Sequence, residues 1–96
     1  MFLVLTEYVR PIEEIERFLP DHSAHLEKYY ALGRIIFSGR LEPRTGGIIL
    51  FASEDRTEVE EIIQNDPFRI RGCATYKIIE FIPTKCAEGF RALLPS

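Results

Sequence analysis

Two histidines, His22 and His25, stand three residues apart in LPDHSAHLEKYY (residues 19–30), at the head of a stretch with helical spacing. With His22 set at zero on a helical wheel, Leu26, Tyr29, Tyr30 and Gly33 fall within about 80° of it. His22 therefore occupies the middle of the apolar stripe, and His25 its edge. An imidazole so placed becomes a general base when a carboxylate fixes its tautomer and stabilises its cation. Asp66, in the triplet Asp66-Pro67-Phe68 at the end of a second helical stretch, is the candidate carboxylate. Ser38-Gly39 interrupts an otherwise apolar strand, where a glycine marks a bulge or the close approach of another group. Tyr8, Tyr29, Tyr30 and Tyr76 read as core or pocket walls whose hydroxyls can orient a polar substrate. Ser38, Gly39, Tyr30 and Tyr76 are accordingly assigned to substrate binding.

Each residue also has a plainer reading. A histidine on an apolar face can be a satisfied core residue, an aspartate before proline a helix-ending turn residue, and Ser38 a small residue at a crowded point. As an HxxH pair, His22 and His25 offer a metal two ligands with no third at suitable spacing. No metal and no cofactor are expected. The TGG step leads into a strand rather than a helix, so it is not a phosphate loop, and no serine lies in a nucleophile elbow. Arg44, Arg71 and Lys85 are either carboxylate anchors or surface charges.

These side chains must be held by a chain of 96 residues, of which 46% are hydrophobic and 28% charged, with a formal net charge of −3. That length suits one domain with a single core, taken as residues 1–96 with the core over about 1–83 and a tail over 84–96. The cations are scattered among acids, which argues against nucleic acid as a partner. No segment approaches the ~20 apolar residues of a membrane span. The N-terminus has no leader pattern, and a cytoplasmic protein is expected. Cys73 and Cys86 have no zinc-like spacing and read as free thiols.

Residues 2–8, 34–41, 46–53 and 74–82 read as strands. Helical spacing begins after Pro11, is expected to end or kink at Pro20, and resumes from about Asp21 to Leu32, with Gly33 as its left-handed cap. A second helix runs from the Ser53-Glu54-Asp55 capping group to about Asn65 and stops at Asp66-Pro67. Phe90, Leu93 and Leu94 are expected to dock as a short helical turn. The order β-α-β-β-α-β is that of an α+β, ferredoxin-like sandwich with a four-stranded antiparallel sheet. Both helices cover one sheet face, yet Phe2 and Val4 alternate with Leu3 and Leu5, Ile48 and Leu50 with Ile49 and Phe51, and Ile78 and Ile82 with Ile79 and Phe81. A second apolar face needs a cover, and a homodimer through it is expected.

The ordered set LPDH, GRIIFSG (33–39), PRTGGIIL, DPF and YKIIEFIP (76–83) resembles the YCII-related (YciI-like) family over nearly the whole chain. The resemblance implies a dimeric α/β barrel of ferredoxin-like subunits. It also implies an acid/base pair that falls on His22 and Asp66, and a small-residue step that falls on Ser38 and Gly39. Arg40 stands where many members carry proline. By analogy with dehydrochlorinase-like and muconolactone-isomerase-like relatives, the implied function is a cofactor-independent lyase or isomerase acting on a small, cyclic organic acid. The alternative is a dimeric module that binds a small metabolite without changing it.

Overall fold

The computed structural model describes residues 1–94. The elements run β1 (Phe2–Tyr8), α1 (Ile12–Ala31), β2 (Ile35–Arg40), β3 (Gly46–Phe51), α2 (Arg56–Gln64), α3 (Pro67–Ile70), β4 (Ala74–Glu80) and a 3-10 helix over Glu88–Leu93. The strands form one sheet in the order β2-β3-β1-β4, and every neighbouring pair is antiparallel. This is the expected ferredoxin-like arrangement.

The register sorts the apolar residues onto two faces, because alternate residues of a strand point to opposite sides. On one face Phe2 pairs with Phe51 and Val4 with Ile49. Those four residues are buried in one core with Leu26 of α1 and Val59, Ile62 and Ile63 of α2. On the other face Leu3 pairs with Leu50 and Leu5 with Ile48, Leu3 also with Ile79, and Phe37 with Leu50. These side chains are half-buried, and Phe37 is exposed. A smaller cluster of Ile15, Phe68, Cys73 and Ala74 fills the end of the domain near α3. Cys73 and Cys86 are free thiols.

The glycine pair that opens β3 is required by close approach. A Cβ on Gly46 would collide with the backbone carbonyl of Thr6, and one on Gly47 would come within 2.7 Å of the carbonyl oxygen of Gly39. Gly33, at φ +72, provides the left-handed turn after α1.

Two expectations need correction. Helix α1 does not end at Pro20 but runs through it, twenty residues in all. Pro20 is exposed, so the carbonyl that loses its donor is on the solvent side, where water can satisfy it. Packing holds the helix on both sides of the gap, through buried Ile15 before it and His25 and Leu26 after it. Helix α2 does stop before Asp66-Pro67, with Asn65 as its C-cap, and Pro67 then opens the short α3 with Asp66 as its N-cap, since proline at the first helical turn forfeits a donor that would be free anyway. In the tail the helical turn forms, but Phe90 and Leu93 stay 42% and 49% exposed, so it does not dock on this subunit. The last two residues of the proposed tail lie outside the described residues.

Candidate active site

His22 lies halfway along α1, where a continuous helix fixes its backbone. Asp66 sits at the junction of α2 and α3, and its φ −69, ψ 129 conformation turns the carboxylate back over the first turn of α3. Asp66 Oδ1 accepts the Phe68 N–H at 2.9 Å, an N-cap bond that pins the side chain. His22 Nδ1 donates to both carboxylate oxygens, each at 2.8 Å. A carboxylate buried among apolar groups can only accept, so the proton is on Nδ1 and the Nε2 lone pair is free. The His22 side chain is 14% exposed and that of Asp66 is 2%. A molecule entering from solvent can therefore reach the imidazole and not the carboxylate.

Phe68 completes the clamp. Its ring stacks on His22 with centroids 4.1 Å apart and planes 10° from parallel, and Tyr8 packs edge-on against its far side at 6.0 Å. Asp66 and Phe68 are two residues apart, so one capped turn delivers both the acceptor and the stacking ring to His22. Sequence reasoning assigned Phe68 no role. The signal for it was its place in the DPF triplet, two residues after the candidate carboxylate.

His22 faces a cleft of about 170 Å³ between α1 and the β2–β3 end of the sheet. Leu19, Ser23 and Leu26 of α1 flank the histidine, and Ser38, Gly39 and Arg40 of β2 form the opposite wall. Thr6, Gly47 and Ile49 make the floor. An ion pair between Arg44 Nη1 and Glu16 Oε1, at 2.9 Å, ties the β2–β3 turn to α1.

The other assigned residues divide. Ser38 and Gly39 are on the cleft wall with His22. Tyr30 is not, but its hydroxyl lies 2.6 Å from Ser38 Oγ and fixes that side chain. Tyr76 is also off the wall: it sits on β4 opposite Thr6, with its hydroxyl sealed from solvent and turned toward Asp66. That hydroxyl has no hydrogen-bond partner among the described residues. Burial first, and then the charge and proximity of Asp66, push the Tyr76 phenol well above its ordinary range. His25, placed by the wheel at the stripe's edge, is in fact the more deeply buried histidine. Its Nε2–H donates to the Ile62 carbonyl at 2.8 Å, and its ring meets Tyr29 edge-on at 5.2 Å. The wheel could not show that α2 packs along that edge. The two rings thus turn to different partners, and no group of three or more His, Cys, Asp or Glu is gathered among the described residues. No helix among them is long and apolar enough to cross a membrane.

A four-stranded antiparallel sheet with its helices on one face defines a ferredoxin-like α+β protein, and a hydrogen-bonded histidine–aspartate pair stands at the mouth of its small cleft. The chain belongs to the YCII-related domain family, whose family model matches residues 1–82. Among solved structures it is similar to 5-chloro-2-hydroxyhydroquinone dehydrochlorinase (TftG) from Burkholderia phenoliruptrix AC1100, in complex with 2,5-dihydroxybenzoquinone. That likeness has a TM-score of 0.71 at 21% identity and covers 85% of this chain and 94% of the other. At that identity it shows the shared fold. Among curated proteins none matches the chain.

Proposed function

We propose that the chain is a cofactor-independent acid/base enzyme of lyase or isomerase type, acting on a small cyclic organic acid in the cytoplasm. The observation that carries this reading is the pair of 2.8 Å contacts from His22 Nδ1 to Asp66, which leave Nε2 free at the cleft. In the forward step His22 Nε2 takes a proton from an acidic C–H or O–H of the substrate. The imidazolium so formed is stabilised by Asp66, and the same proton is returned elsewhere on the product or follows a departing anion. Phe68 holds the ring plane during both transfers. That a dehydrochlorinase shares the fold, and was captured with a quinone, supports a ring substrate for this site.

The working unit in this reading is a homodimer joined through the open sheet face, where Leu3, Leu5, Ile48, Leu50 and Ile79 would be covered by their counterparts. The test is turnover of a panel of hydroxylated and chlorinated aromatic acids and hydroquinones by wild type and His22→Gln. The variant is expected to stay folded, melting several degrees lower for want of the bond to Asp66, and to lose roughly 10² to 10⁴ in kcat. Equal turnover by the variant refutes the reading. Binding across the panel with no turnover of any member favours the non-catalytic binding module.

A further inference from the structure

We infer that Arg40 makes the cleft selective for an organic anion, pairing with a carboxylate or phenolate of the ligand while the reacting part of the molecule faces His22. This rests on the reading of the cleft as the substrate site and adds to it the charge of the substrate and the residue that selects it.

The register places Arg40 for this role. It is opposite Gly47, which is in turn opposite Thr6. It shares a face of β2 with Ser38, whose partner Ile49 is buried beneath the helices. Arg40 is thus aimed at the helix side, and it lines the cleft. Because Gly47 has no side chain, the space between Arg40 and Thr6 stays open to a ligand.

The charges point the same way. The ionisable side chains on the cleft wall are Tyr8, His22 and Arg40, with no aspartate or glutamate among them. Asp66 is behind His22 and already accepts from His22 and Phe68. The nearby hairpin arginine, Arg44, is committed to Glu16, and Arg34 and Arg56 are committed to Glu58 and Glu60. Arg40 has no carboxylate partner among the described residues. A guanidinium offers a planar fork of donors that fits a carboxylate in bidentate fashion, and a cleft walled on one side by an unpaired cation raises the local concentration of anions. At about 170 Å³ the cleft is smaller than usual drug-sized sites, so the anion is a single-ring molecule.

The experiment compares 2,5-dihydroxybenzoate with its neutral isostere 2,5-dihydroxybenzamide. Calorimetry gives the affinities, and the amide shifts of Ser23, Gly39 and Gly47 report the site. The pH is about 7, where the carboxyl of the acid is ionised and the phenols of both probes keep their protons. Wild type is expected to bind the acid about tenfold more tightly than the amide, in a salt-sensitive manner. Arg40→Gln removes that preference by weakening the acid alone, and Arg40→Lys keeps part of it. His22→Gln leaves the preference intact, so loss of the acid/base reading and loss of this inference are separate results. The inference is overturned if wild type shows no preference or binds neither probe, if Arg40→Gln keeps the preference, or if the preference is lost with His22 instead.

Discussion

Replacing Asp66 by asparagine and by alanine separates the two jobs its carboxylate performs. Alanine removes the N-cap bond to Phe68 N–H, worth about 1 kcal/mol. It also removes the charge-assisted bond from His22, worth roughly 1 to 2 kcal/mol at a mostly buried site. The sum, about 2 to 3 kcal/mol, corresponds to a fall in melting temperature of roughly 10 to 20 °C for a domain of this size. Asparagine is as good an N-cap as aspartate, so its carbonyl oxygen keeps the Phe68 bond and most of the stability. Its other side is an NH₂ donor, which pairs best with a bare Nδ1 and so moves the imidazole proton to Nε2. The free lone pair then faces the wrong way, and turnover falls by roughly 10² or more. The assays are thermal melts of both variants and the ¹⁵N shifts of the His22 ring, which distinguish the two tautomers directly. Wild type is expected to show a protonated Nδ1 and Asp66→Asn a protonated Nε2. If Asp66→Asn keeps the wild-type tautomer and full turnover, the carboxylate is not the orienting group. If Asp66→Ala melts with wild type, the bonds to His22 and Phe68 contribute nothing.

Two further outcomes follow from the same geometry. The buried Tyr76 phenol is pushed up from its ordinary 10.0 by burial and then by Asp66, so above that pH the unfolded chain releases a proton that the native chain retains. Stability therefore falls as pH rises past about 10, with a slope from this group of about 1.4 kcal/mol per pH unit; urea melts of Tyr76→Phe between pH 9 and 11 should show a shallower decline, and identical slopes would remove Tyr76 as the cause. On the open sheet face, Leu5→Lys with Leu50→Glu places charges in the centre of the apolar patch; light scattering should find a dimer in wild type and a folded monomer in the double variant, and a wild-type monomer at micromolar concentration would refute the proposed assembly.

The strands were legible in the sequence because they are short runs rich in β-branched and aromatic residues bounded by turn residues, and the bounds of β1 match the run Phe2–Tyr8. Gly33 was legible for a similar reason, since a left-handed residue is needed where the helix ends. Pro20 misled because its cost depends on which side of the helix it faces. That side is settled only when α1 packs against the sheet. Asp66 could be named as the partner of His22, but a separation of 44 positions leaves their distance undetermined until α1 and α3 are side by side. Phe68 and His25 were misjudged on the same account, for their roles are set by contacts between helices and not by the spacing within one. The tail was read from its apolar residues alone, which say that Phe90 and Leu93 favour burial but not that this subunit provides the place.

The two walls of the cleft are bound to the fold very differently, and that difference bears on how the site can be altered. Asp66 ends one helix, caps the next and holds His22, while Phe68 is buried against both the histidine and Tyr8. A change on that wall that loses these bonds, as Asp66→Ala does, disturbs folding together with the proposed chemistry. The facing wall belongs to β2, an edge strand in which Ser38, Gly39 and Arg40 are exposed. Surface positions of this kind usually move stability by less than about 0.5 kcal/mol, so the Arg40 side chain can be exchanged with little effect on the fold. The His22–Asp66 pair is therefore the part of the cleft that the fold constrains, and under the proposed reading the choice of ligand would rest on a wall free to vary. Arg40→Gln, melting with wild type while losing its preference for the acid, would show that division in one protein.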